Sequence, residues 1–164
     1  MAHSCEAILL ELQECLCARI SEQALLGEAK PVCICTVVAG DSVPLDYCGS
    51  CDDDACGIAW TRLVNVSPPM EAFHEGRHCD QPVQATFEAG IARCSITDMS
   101  DPDGPLPTAD MHLQEVLQQM DDLKILRYVA TCCIKGAALE SYEPFGPEGG
   151  CYGGIATFTV NVLH

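Results

Sequence analysis

Basic residues are scarce in this 164-residue chain: eight Lys and Arg stand against 24 Asp and Glu, a formal charge of −16 at pH 7. Nucleic-acid affinity is built from cations that displace phosphate counterions, so a DNA grip is disfavoured. The imbalance is steepest between Ile96 and Leu123, where Asp98, Asp101, Asp103, Asp110, Glu115, Asp121 and Asp122 meet no Lys or Arg. Such a run ordinarily forms a solvated acidic surface. Long apolar stretches are missing too, and none reaches the ~20 residues of a membrane span. The opening Met1–Glu6 lacks a basic n-region, and Glu6, Glu11 and Glu14 interrupt any apolar core of a secretory signal, so cytosolic synthesis is expected. Internal repeats, a G-x-S-x-G elbow and a phosphate loop ending in G-K-[ST] are all absent.

What is present is a substantial apolar fraction, 48% of residues. One domain spanning 1–164 is expected, long enough to bury roughly two thirds of the surface its unfolded form exposes. Thirteen cysteines, an odd number, fit poorly with a reducing cytosol, where disulfides are rare. Two readings remain: thiols packed as small hydrophobes, or a protein folded in a reducing cell and later carried outside it.

Apolar residues at Ile8, Leu9, Leu12, Cys15, Leu16 and Ile20 have helical period, with Ser4 as a cap and Gly27 with Pro31 as the stop. Val32–Val38, Gly57–Val66 and Thr86–Cys94 read as strands, the second holding the only tryptophan. Thr108 or Asp110 caps a long helix to about Cys133, whose main face is traced by Leu113, Val116, Leu117, Met120, Leu123, Arg127, Ala130 and Ile134. Tyr142–Gly154, dense in glycine and proline, reads as a shaped loop, and Ile155–Leu163 as a closing strand. The fold class is therefore mixed, α+β, in the order α-β-β-β-α-β. A strand of this kind pairs within its own sheet or with a neighbouring subunit, since a bare edge is a liability.

His74-Glu75-Gly76-Arg77-His78 matches the H-E-x-x-H pattern, in which two histidines one helical turn apart bind zinc and the glutamate activates water as base. The motif needs a stable helix. Here it lies between Pro69 and Pro82 with Gly76 at its centre, and no third ligand stands at the usual spacing, so a small zinc metallopeptidase is the lesser reading. Cys48-Gly49-Ser50-Cys51, with Cys56 and Cys79, makes a loop staple ahead of a structural zinc site or a redox pair. A zinc signature needs two such knuckles, and Asp52, Asp53 and Asp54 raise neighbouring thiol pKa values. Asp101-Pro102-Asp103-Gly104 resembles part of a calcium loop but reads better as a solvated turn. No catalytic residue, cofactor or metal site is assigned. An acidic adaptor for a basic partner, using the second helix, is a further alternative.

Several segments together carry a resemblance: Cys56-Gly57-Ile58-Ala59-Trp60-Thr61-Arg62-Leu63, Gly90-Ile91-Ala92-Arg93-Cys94, the helix ending near Cys132-Cys133, and Tyr142–Gly154 leading into Thr157-Phe158-Thr159-Val160. From about Ile8 to Val162 the chain resembles a neck protein of long-tailed phages infecting actinobacteria, most like the tail terminator group. The resemblance implies a mainly antiparallel sheet flanked by two helices. It also implies a structural virion protein, assembled in the bacterial host cytoplasm. In that role it forms a homo-oligomeric ring, a hexamer, that ends the tail tube and joins it to a head-closure or connector protein. A neighbouring neck role, as head closure or connector, is the nearest alternative. An acidic lumen would let DNA pass without specific binding, because it repels phosphate. Late oxidation outside the cell would then pair thiols among Cys48, Cys51, Cys56, Cys79, Cys94, Cys133 and Cys151.

Overall fold

The computed structural model describes residues 4–43, 57–68, 83–95, 106–148 and 150–162. Helix α1, Cys5–Leu25, begins where the Ser4 hydroxyl accepts a hydrogen bond from the Ala7 amide at 3.2 Å, and it stops before Gly27, whose φ of 72° ends the helix. Its four-residue apolar repeat, Ile8, Leu12, Leu16 and Ile20, is fully buried. Each such side chain contributes about 1.5–3 kcal/mol of transfer free energy. Strands β1 (Ile34–Val37), β2 (Gly57–Ser67) and β3 (Val83–Cys94) follow.

Helix α2, Ala109–Tyr128, is capped by Thr108, whose hydroxyl accepts from the Met111 amide at 3.3 Å. It runs without a break into a π-helical turn, Val129–Cys133. Two further strands, β4 (Ala138–Glu148) and β5 (Cys151–Val162), complete the sheet in the order β1-β2-β3-β5-β4. Among the described residues only β1 and β2 run parallel, and the other three pairings are antiparallel. The expected α+β class and mainly antiparallel sheet are as anticipated.

One expectation changes. The glycine- and proline-rich segment is not a loop: most of it is β4 and the start of β5, paired from Ala138↔Thr159 to Glu148↔Cys151. Proline is tolerated because β4 is the outermost strand, where Pro144 and Pro147 can lack a donor, and two bulges absorb the irregularity. Gly154 serves close approach, since a Cβ there would collide with the Tyr142 ring of β4.

Both helices lie on one face of the sheet. α1 packs over β1 and β2, α2 over β5 with contacts to β3 and β4. Their core joins Leu12, Leu16, Ile125, Leu126 and Val129 to Phe87, Ile91 and Phe158 of the strands. The opposite face carries a smaller cluster of Ile58, Trp60, Ala92 and Cys151, with Phe145 at 6.5 Å from the Trp60 ring centre.

Candidate functional site

Among the described residues two ion pairs organise the sheet, a buried one on the helix face and a partly buried one on the other. On the helix side, Arg93 of β3 and Asp122 of α2 are 3% and 0% exposed and form a two-point fork. Nε donates to Oδ2 and Nη2 to Oδ1, both at 2.7 Å. The third guanidinium nitrogen donates to the Lys30 and Pro31 carbonyls at 2.7 and 3.2 Å, tying the chain before β1 to the same centre. Burial pushes the Asp122 carboxyl up, while the bonds from Arg93 and from Gln118 oppose that shift. On the other face, Glu88 accepts from the Trp60 indole at 2.8 Å and from Arg62 at 2.8 and 2.6 Å. Arg62 also donates to the Gly40 carbonyl at 3.1 Å, and its hydrogen bond to Glu88 raises its pKa. Gly90 lies under the Trp60 ring, where a Cβ would collide with it.

The first pair dictates how α2 is turned. Besides Asp122, its inward side presents Glu115, bonded by the Ser95 hydroxyl at 2.6 Å. Gln119, also on that side, donates to the Phe145 and Gly153 carbonyls at 3.0 and 2.9 Å. Tyr142 donates to the Gln119 carbonyl at 3.3 Å, and burial pushes its phenol up to about 12. A helix can face the sheet on one side only, and a buried guanidinium without a counter-charge is strongly destabilising. The apolar side is therefore turned outward.

This corrects the expected α2 face. Leu113, Val116, Leu117 and Met120 are 53, 50, 44 and 55% exposed, and Arg127 is exposed as well. Only the C-terminal end, with Ile125, Leu126, Ala130 and Ile134, enters the core. From Met111 to Met120 the ionisable side chains are His112 and Glu115, and Glu115 is buried on Ser95, so apart from the exposed His112 imidazole the open stretch is apolar or amide. The expectation that α2 offers an acidic face is corrected by the same geometry. Glu115 and Asp122 point inward, Asp121 pairs with Lys124 at 2.6 Å, and Asp110 in the first turn is the acid left in solvent.

A shallow cleft of about 220 Å³ beside this face is lined by Lys30, Gln114, Glu115, Leu117, Gln118, Asp121 and Tyr152. Several of its polar groups are already engaged: Glu115 with Ser95, Gln118 with Asp122, and Asp121 with Lys124. Burial pushes the Tyr152 phenol up to about 12. Among the described residues no three His, Cys, Asp or Glu side chains converge on a metal position. His74, Glu75 and His78 lie outside the described residues, as do Cys48, Cys51, Cys56 and Cys79.

Cysteine chemistry within the described residues is mostly disulfide. Cys15 of α1 bonds Cys133 of the π turn, 118 residues away, with Cα atoms 6.3 Å apart, and Cys17 bonds Cys35 at 5.8 Å. Cys33, Cys94 and Cys151 are disulfide-bonded as well, while Cys5 and Cys132 are free. Reading Cys15 as one more member of an apolar stripe missed its bond. The available signal was the pair of C-x-C patterns, Cys15-Leu16-Cys17 and Cys33-Ile34-Cys35, although spacing does not specify partners.

Neither a protein-family model nor a curated protein matches the sequence.

Proposed function

We propose that the chain is a ring-forming structural protein of a phage neck, one that ends the tail tube, joins it to the head, and lets DNA pass without specific binding. The observation that carries this reading is the open α2 face. Four large apolar side chains in a ten-residue stretch with no exposed acid stand on a chain of −16, which is what a contact between identical acidic subunits requires. The exposed side of α1 suits a channel wall, because Glu6, Glu11, Glu14 and Glu22 face solvent and its single Arg19 is paired with Glu22. Disulfides that tie α1 to β1 and to the π turn suit a particle that survives outside a reducing cell. No residue is given a catalytic role.

The test is the mass of the native protein, by light scattering or native mass spectrometry, over a range of salt concentrations that screen its charge. A defined ring, formed alone or beside tail tube protein, is expected. A monomer that carries one zinc per chain at every salt, lost in His74→Ala, would replace this reading with the metallopeptidase.

A further inference from the structure

Among the described residues a second apolar stretch lies at the other flank of the sheet. β1 pairs with β2 only over Ile58–Thr61, after which the Val38 amide donates to the Thr61 carbonyl and the chain turns off to Gly40, held by Arg62. Among the described residues no strand covers the outer edge of β2 from Leu63 to Ser67. Its side chains there, Leu63, Val64 and Val66, are 36, 47 and 40% exposed. The neighbouring stretches Gln84–Phe87 and Phe158–Val162 carry no ionisable residue either, so among the described residues these three strand segments are neutral in a chain with 24 acids. The far edge differs: β4 is bulged, holds Pro144 and Pro147, and displays Glu140 and Glu143. Prolines and exposed acids block strand addition, and β2, although it too is bulged between Leu63 and Asn65, has neither on its open stretch.

We infer that the subunit contact is head-to-tail: the α2 stripe Leu113, Val116, Leu117 and Met120 of one copy docks against the Leu63–Ser67 edge of β2 in the next. The inference rests on the ring reading above and supplies its two contact surfaces. Charge selects the occupant. A basic partner would seek the acids, whereas a second copy, bearing the same −16, has to meet the chain where neither side displays charge. Position selects the symmetry. α2 sits over the β5 side of the sheet and the open stretch of β2 lies toward the β1 side, so a contact joining one to the other leaves a free surface of each kind and propagates until the ring closes.

The experiment uses two double variants of the full chain, Leu117→Glu with Met120→Glu, and Val64→Glu with Val66→Glu, followed by native mass spectrometry against concentration. Each variant alone is expected to be monomeric, with self-association weakened at least about 100-fold. An equimolar mixture is expected to give a heterodimer and nothing larger, because one intact contact remains between the two. Circular dichroism and thermal unfolding check that both are folded, and the milder Leu117→Ser and Val64→Thr replace any that is not. If wild-type chain forms rings and either variant forms them equally well, the contact assignment is overturned while the ring reading stands. A β2 variant that still pairs with itself through α2 would establish a two-fold contact instead. Wild-type chain that stays monomeric under all conditions removes the ring reading itself.

Discussion

α1 and α2 are nearly equal in length, 21 and 20 residues, each capped by a hydroxyl and resting on the same face of one sheet. They meet that face in opposite ways. α1 turns Ile8, Leu12, Leu16 and Ile20 inward and its acids outward, as hydrophobic transfer alone demands. α2 turns Glu115, Gln119 and Asp122 inward and leaves Leu113, Val116, Leu117 and Met120 in water. The difference lies in what each helix meets. Beneath α1 the strands offer apolar groups such as Ala59, whereas beneath α2 the sheet presents Arg93 and the backbone carbonyls of Phe145 and Gly153. A buried charge or carbonyl has to be answered by hydrogen bonding, and that requirement outranks the burial of four half-exposed side chains.

The contrast can be broken most severely at its cause. Arg93→Ala strands Asp122 in the core and is expected to cost about 3–5 kcal/mol in denaturant unfolding. Replacing both partners by leucine is expected to recover most of that loss, and a double variant as unstable as the single one would show that the pair is not what orients α2. On α1, Leu16→Ala opens a cavity and is expected to cost about 2–5 kcal/mol. Removing the Cys15–Cys133 bond with Cys15→Ser is expected to cost about 2–4 kcal/mol, because the bond closes a long loop in the unfolded chain. The same change in wild-type and variant melts under reducing conditions would remove the disulfide as the cause.

A smaller effect tests the polar seam at α2. Tyr142 and Tyr152 hold their protons to about pH 12, above the usual phenol value near 10. Between those limits the folded chain binds more protons than the unfolded one, so stability that is complete below pH 10 declines as pH rises toward 12. Ultraviolet titration should show two late phenols, and Tyr152→Phe should flatten the decline. Smallest of all, Leu117→Ala on the isolated subunit is expected to change stability by no more than about 0.5 kcal/mol. A loss on the scale of Leu16→Ala would mean that the α2 stripe is core after all.

Period and punctuation were legible where local physics decides. The Ser4 cap, the α1 stripe, Gly27 as its stop and the alternation of β2, β3 and β5 all follow from short-range preferences, and they were sufficient for the α+β class. Tyr142–Glu148 was misread as loop because proline and glycine signal breaks only on average. At an outer strand with bulges, a missing donor is harmless. The cysteine pairs were illegible for a related reason: Cys15 and Cys133 are neighbours only after α1 and the π turn share a core.

By itself, then, the chain determined where both helices and the strands other than β4 lie, how acidic the whole is, and which residues are apolar, because these depend on composition and on neighbours a few positions away. Only the tertiary structure decided which side of α2 is buried. That choice depends on Arg93, 29 positions from Asp122 in the chain, reaching the same side of the sheet with a charge that must be answered.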